Sequence, residues 1–390
     1  MQDLRTTTLP LVAALVLTAP LSYADTDKLT VMSRNVYLGA DIFKVVQAAM
    51  TDPATVPLAV TAAFQEVQQT DFTQRAEALA DEIRRYRPDA IGLQEVSTFY
   101  TQTPSDFGYA SQGYPEQAAD TLYLDYLTVL QAALEARGLH YTVAASVTNA
   151  DIEVPMVTGM SESGPELSDL RMVDHDVILV SRKTMASNPL TGNYTYNAAV
   201  DVAGTSLEFT RGYTAVDITV KGDTFRFVNT HLETGGSEPF KSLQAVQMTE
   251  LLGIMDMTNT AGVPTILVGD FNSAPGEAPF VSASGIPGLD GLDLVPPYLQ
   301  ATGSGYADTW LKQRRPGAGL TCCFSSTVND PDSELSERID HIFLATPART
   351  RVKVRATVVG DEIFDMTPGG LWPSDHAGVV ARIMLKTRGR

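Results

Sequence analysis

The sequence has two cysteines in 390 residues, and they are adjacent, Cys322 and Cys323. Neighbours along the chain cannot staple distant segments, so a disulfide-built scaffold is excluded. The C-x-x-C spacing of a redox motif is missing as well. A strained vicinal disulfide and a pair of buried thiols both remain open. Cations are also scarce: 28 Lys and Arg stand against 46 Asp and Glu, for a formal charge of −18 at pH 7. That deficit argues against a passive nucleic-acid coat, whose affinity would come from surplus cations releasing counterions from phosphate. An enzyme that touches phosphate at one local site is still allowed. No apolar run reaches the ~20 residues that cross a bilayer, so an integral membrane protein is not expected. With 44% hydrophobic residues, 29 Gly and 22 Pro, the composition excludes disorder, collagen and coiled coil as the main architecture.

The first residues read as a targeting segment. After Arg5 an apolar run extends from Leu9 to Leu21, interrupted by Pro20, and Ser22 and Ala24, on either side of Tyr23, supply the small residues of a cleavage site. A signal peptide over residues 1–24, cleaved after Ala24, predicts a secreted or periplasmic protein. Its removal takes away Asp3 and Arg5, which cancel, so the charge is unchanged.

Residues 25–390 show no linker, repeat or composition break and are expected to form a single catalytic domain. Strand-like runs recur throughout: Leu29 to Leu38, Ala90 to Val96, Tyr141 to Val147, Asp176 to Ser181, Leu207 to Val220, Thr224 to Thr230, Thr265 to Val268, Arg338 to Leu344, Arg351 to Val359 and Gly378 to Met384. Helical patterns lie between them. Asp71 with Gln74 starts one that Pro88 stops, Leu122 to Arg137 ends at Gly138, and a third runs from about Pro239 to Met257. This mixture predicts a layered α/β sandwich. Residues 41–70 read as a helical insertion, and Leu289 to Tyr306, rich in Gly and Pro, as a long surface loop.

Polar residues stand at the ends of these strands, where a purely structural strand would carry apolar ones. TILVGDFNSAP, Thr265 to Pro275, ends in Asp270 and Asn272, which period two places on one side with Phe271 on the other. IGLQEV ends in Gln94 and Glu95, and VNTHLE carries Asn229 and His231. RIDHIFL holds Asp340, PSDHAG opens the last strand with Asp375 and His376, and SRNVYLG places Asn35 at the end of the first.

The ordered set Asn35, Glu95, His231, Asp270 with Asn272, Asp340, and Asp375 with His376 resembles the endonuclease/exonuclease/phosphatase superfamily, the group of deoxyribonuclease I, apurinic endonucleases and neutral sphingomyelinases. The likeness covers essentially the whole chain after Lys28. It implies a four-layer α/β sandwich of two packed, mainly antiparallel β-sheets flanked by helices, with the active site where strand ends meet along one edge. It also implies a metal-dependent phosphoric diester hydrolase.

The chemistry of a phosphodiester agrees with that. Its oxygens repel a nucleophile, so a hard cation on oxygen ligands is needed, and carboxylate, amide and water suit Mg²⁺ or Mn²⁺. Glu95 is the first ligand expected, with Asn35 and Asp375 acting through water. Asp270 would orient or deprotonate the attacking water, and Asn272 would hold that water or a phosphoryl oxygen. His376 with Asp340 resembles the family's oriented imidazole pair, and His231 is the second imidazole, a general acid for the leaving oxygen. An acid near His231 is implied to orient it, Asp176 ahead of Asp174. His341 should point to the opposite face from Asp340 and be a satisfied histidine.

Arg211 is a phosphate-binding candidate under one condition. A hairpin turn at Gly222 and Asp223 would set His231 opposite Thr214 and turn Arg211 away, unless a β-bulge at Gly212 swings it back. Arg349, Arg351, Lys353 and Arg355 alternate along one strand, either as a solvated face or as a backbone-phosphate track. The substrate expected is nucleic acid, DNA or RNA. The alternatives are a sphingomyelinase-like phospholipid phosphodiesterase, a small-phosphate or inositol-phosphate phosphatase and, more remotely, a catalytically silent binding module.

Overall fold

The computed structural model describes residues 29–202, 205–348 and 350–387. The expected signal peptide, residues 1–24, and Arg349 lie outside the described residues.

The chain opens in β1 (Leu29–Asn35), buried along its whole length, and then leaves the sheet for α1 (Phe43–Thr51), α2 (Val56–Gln69) and α3 (Phe72–Tyr86). The first two are the excursion expected over 41–70. Asp71 caps α3: its Oδ1 accepts from the Gln74 N–H, and the Gln74 side chain donates back to Oδ2 at 2.6 Å. Next come β2 (Ala90–Gln94), β3 (Thr98–Gln102), β4 (Thr121–Asp125) and α4 (Tyr126–Ala136). The helix predicted from Leu122 therefore starts only at Tyr126. Asp125 is the better N-cap, accepting from the Thr128 N–H at 3.1 Å, and the residues before it pair with β3.

A hairpin of β5 (Tyr141–Ser161) and β6 (Gly164–Ser181) is far longer than the runs predicted there, because its bulges reset the alternation a reader would look for. It leads into β7 (Met185–Asn193), β8 (Ala198–Val202), β9 (Thr205–Phe209), β10 (Gly212–Val220) and β11 (Asp223–His231). The single strand predicted from Leu207 to Val220 is thus split at Thr210 and Arg211. Its turn is also displaced: Lys221 and Gly222 take φ of 52° and 96°, as a type I′ turn requires, so Val220 pairs with Asp223 and His231 lies opposite Gly212 rather than Thr214.

The rest is α5 (Phe240–Thr258), β12 (Thr265–Asp270), β13 (Phe280–Val281), β14 (Asp293–Leu294), α6 (Pro297–Gly303), β15 (Ala307–Asp308), β16 (Asp340–Ala345), β17 (Thr350–Val359) and β18 (Gly378–Thr387). Leu289 to Tyr306 is not the surface loop its Gly and Pro content predicts. It carries α6, whose Tyr298 and Ala301 are buried, in a helix too short to show a period.

One sheet has the order β17-β18-β1-β2-β6-β3-β4, with β5 also on β6, and the other β15-β16-β12-β11-β10-β7. Their ladders are antiparallel except β1 with β2 and β11 with β12. Val31, Ile178, Phe227, Ile266 and Ile383 fill the layer between the sheets. Leu79, Ile83 and Leu130 cover the outside of the first sheet, and Met248 and Leu251 the outside of the second. The expected four-layer α/β sandwich is present. Among the described residues no helix is long and apolar enough to cross a membrane.

Candidate active site

Strand register brings the polar strand ends together. The parallel β11–β12 ladder sets His231 beside Asp270, and β12–β16 sets Asp270 beside Asp340. In the other sheet β1 and β2 set Asn35 beside Gln94, and Glu95 follows. Gln94 and Asn229 tie the sheets to each other: Gln94 Nε2 donates to Asn229 Oδ1 at 2.6 Å, and Asn229 Nδ2 donates to the Leu93 carbonyl at 3.0 Å. A Cβ at Gly92 would come within 2.5 Å of Asn229 Oδ1, so that crosslink needs the glycine.

The Nδ1 of His376 meets Asp340 Oδ2 at 2.9 Å, and Asp270 Oδ2 lies 3.7 Å from the same nitrogen. Burial alone would lower the pKa of this ring, but Asp340, Asp270 and Asp375 together hold it well above the usual histidine value. His376 is therefore an imidazolium. Its backbone carbonyl accepts from Arg34 Nη1, and Arg34 is itself gripped by Glu82 at 2.9 and 3.1 Å.

Asp270 accepts from the backbone N–H of Asn272 at 3.0 Å and from Asn35 Nδ2 at 3.1 Å. Burial and the neighbouring Asp340 push its carboxyl up to about 7, with His376 opposing them. Asn272, at φ 48°, donates from Nδ2 to the Leu232 carbonyl at 3.1 Å, with His231 Nε2 3.3 Å away.

His231 is held differently from His376. Arg211 Nη1 approaches its Nδ1 at 3.1 Å, and a guanidinium only donates, so Nδ1 accepts and the ring proton sits on Nε2. Burial, Arg211 and His376 push this imidazole well below its ordinary pKa. This leaves the ring neutral near pH 7. The charged imidazole of the cleft is His376.

Arg211 reaches the cleft, though not by the predicted bulge. The chain leaves the ladder at Gly212, and the guanidinium turns back onto His231 and onto Glu233 Oε1 at 3.4 Å. Burial works against its charge, but Glu233, Asp174 and Glu95 more than offset it. Asp176 does not orient the His231 ring. It lies beside Asn149 and the His231 backbone, and among the described residues neither of its oxygens meets a donor in hydrogen-bonding geometry. The ring's hydrogen-bond partner is Arg211 instead. Asp174 accepts from Ser97 Oγ at 3.1 Å.

Glu95, at φ 58°, accepts from Asn35 Nδ2 at 2.9 Å and from the Leu38 N–H at 2.7 Å. Asp375 lines the same cleft. Burial pushes its carboxyl up to about 6, and Glu95 adds to this against the opposing pull of His376. Glu95 and Asp375 line one cleft, and carboxylate oxygens of that kind suit a hard divalent cation. No thiolate competes, because Cys322 and Cys323 are joined in a vicinal disulfide. Asn35 stands between two carboxylates: its Oδ1 accepts from the Tyr37 N–H at 2.9 Å, and its nitrogen donates to Glu95 and Asp270.

His341 is buried on the opposite face, its Nε2 2.9 Å from the Ser273 carbonyl, with burial pushing its pKa down to about 4. Arg351, Lys353 and Arg355 are exposed on the edge strand β17. Val359 pairs with Gly378 near His376, whereas Arg351 pairs with Lys386, so the cations lie towards the end of the sheet away from the cleft. Sequence patterns pass over two supports of the site. Leu38 acts through its backbone N–H, which no side-chain pattern encodes; Arg34, a charge inside a fully buried strand, was a visible signal.

A model of the endonuclease/exonuclease/phosphatase family matches residues 62–376. No curated protein matches the chain significantly. Among solved structures, the fold is similar to a protein of that family from Bacteroides thetaiotaomicron (18% identity, 93% of this chain and 99% of that one, TM-score 0.53). It is also similar to a mannosyl-6-phosphatase from the same organism (19% identity, 91% and 99%, TM-score 0.52) and to a family protein from Leptotrichia buccalis (16%, 91% and 99%, TM-score 0.51). The match spans most of the chain, and the strand ends carry the groups this chemistry needs: the protein belongs to the endonuclease/exonuclease/phosphatase family and is a phosphoester hydrolase.

Proposed function

We propose that the protein is an exported phosphodiesterase, dependent on Mg²⁺ or Mn²⁺, that cleaves by in-line attack of water. The observation that supports this most strongly is geometric: Asp270, a carboxyl that burial and Asp340 push up to about 7, lies 3.7 Å from the His376 imidazole. A base near neutrality takes a proton from water efficiently. Asp270 does this, oriented by Asn35 and by the Asn272 N–H. With Nδ1 committed to Asp340, His376 has Nε2–H, which meets the Cys323 sulfur at 3.8 Å, to donate to a phosphoryl oxygen as charge builds there. Arg211 neutralises a second oxygen, and His231, protonated on Nε2, donates a neutral hydrogen bond beside Asp270. Glu95 and Asp375 would hold the cation, which when bound supplies Lewis-acid stabilisation of the phosphoryl oxygens.

Nucleic acid, the substrate expected from sequence, draws part of its support from β17, whose cations lie away from the cleft. Among the described residues Arg211 is the only Lys or Arg lining the cleft of about 260 Å³, whereas a polymer with many phosphates calls for several. This favours a substrate that presents a single phosphoester group. The test offers purified protein bis-p-nitrophenyl phosphate, sphingomyelin, plasmid DNA and RNA, with Mg²⁺ or with EDTA. Expected is Mg²⁺-dependent turnover, abolished by EDTA, with sphingomyelin or the small diester preferred over nucleic acid. Full activity in excess EDTA would overturn the mechanism.

A further inference from the structure

We propose that the substrate is the phosphoester of an aliphatic alcohol, and that the alkyl part next to the phosphate enters an apolar pocket beside the catalytic cleft. This rests on the phosphodiesterase reading and adds the substrate class.

The cavity has a volume of about 80 Å³, and every residue lining it is apolar. Ala49, Val60 and Phe64 of α1 and α2 roof it, so the helical insertion is what covers it. Ile152 and Leu170 of the long hairpin form its floor. Val200 and Leu207 of β8 and β9 close one side.

Its position ties it to the chemistry. Leu38, Ala40, Ile42, Met172 and Phe209 line both this cavity and the catalytic cleft, so the two share a wall. Leu38 is the junction: its N–H holds Glu95 at 2.7 Å while its side chain faces the apolar space. A phosphoester placed at Glu95, Asp270 and His376 therefore has an apolar pocket beside it, lined in part by the same residues. Protein interiors rarely leave voids larger than a water, and one without polar lining stays dry. An apolar cavity of about 150 Å³ takes benzene, so this smaller one suits the first few carbons of an alkyl chain. The same chemistry could come from a membrane lipid or from a soluble alkyl ester.

The experiment measures kcat/KM with Mg²⁺ on methyl, ethyl, propyl, butyl and hexyl p-nitrophenyl phosphates, with vesicles containing hexadecylphosphocholine as the lipid form. Each methylene that leaves water for the cavity should raise kcat/KM about fourfold, with a plateau after roughly three or four carbons. Ala49→Leu, which fills the space from α1, should bring the butyl-to-methyl ratio close to one. Should that variant not fold, competitive inhibition of the wild-type enzyme by methyl- through hexylphosphonate reads the same gain. A flat series with the methyl ester still hydrolysed overturns the cavity assignment alone, whereas no hydrolysis of any ester overturns the phosphodiesterase reading beneath it. A gain in the soluble series supports the cavity. Added turnover of the vesicles then identifies a lipid source, and its absence a soluble one.

Discussion

The amide nitrogen of Asn35 meets Asp270 Oδ2 at 3.1 Å across the gap between the two sheets. The same nitrogen donates to Glu95 Oε1 at 2.9 Å, so one side chain sets the spacing between the candidate base and a candidate metal carboxylate. Without it two buried or half-buried carboxylates lose a shared donor and drift apart or repel. Asn35→Ala should lower Mg²⁺ affinity or kcat by about 10–100-fold, the usual cost of losing a group that orients a metal ligand. Calorimetric Mg²⁺ titration beside single-turnover kinetics checks it. Unchanged values in a folded variant would leave Asn35 a bystander.

The His376–Asp340 pair sets a pH limit. His376 is protonated below a pKa that carboxylates hold well above the usual value, and Asp340 is the foremost of them. Activity should rise as Asp270 loses its proton near pH 7 and fall at high pH as His376 loses its own. Asp340→Asn removes the strongest upward influence, so the alkaline limb should move to lower pH, with kcat reduced about 10²-fold. An alkaline limb that stays in place would separate it from His376.

The candidate site residues were legible because they stand at the ends of strands that burial would otherwise fill with apolar side chains. Asp340 within RIDHIFL and Asp270 after TILVG are costly there unless used. What supports them was less visible. Lys221 at positive φ is uncommon for a residue with a Cβ, so Gly222 with Asp223 looked the better turn, and the error carried the His231 register with it. The bulges of β5 and β6 hid a long hairpin in the same way, and with it the floor of the apolar cavity.

Arg34 and Glu82 form a buried pair behind the site, and burial pushes Glu82 up to about 6 even though Arg34 pulls the other way. The folded protein thus binds a proton at Glu82 more tightly than the unfolded chain, whose carboxyl titrates near 4.5. The stability this contributes is complete below about pH 4.5 and is lost as pH rises through about 6. Urea midpoints for the wild type and Glu82→Gln across pH 4 to 7.5 test it. The variant should lack this slope and, with Arg34 left unpaired, be less stable by about 3 kcal/mol at neutral pH.

The exposed cations of β17 decide whether a polymer is bound. From Val359, near His376, to Arg351 the strand covers roughly 26 Å at ~3.3 Å per residue. A duplex contacting Arg351, Lys353 and Arg355 would thus engage a surface that leads away from Asp270. Replacing all three with Gln should leave kcat/KM on bis-p-nitrophenyl phosphate within about twofold. It should also leave the salt dependence of any plasmid binding unaltered, because each true phosphate contact contributes about 0.9 to the slope of log K against log salt. A slope reduced by nearly 3 would mean that the strand tracks a nucleic-acid backbone. In that case a polymer would have to reach the cleft around the sheet edge, and the preference for a single phosphoester group would be wrong.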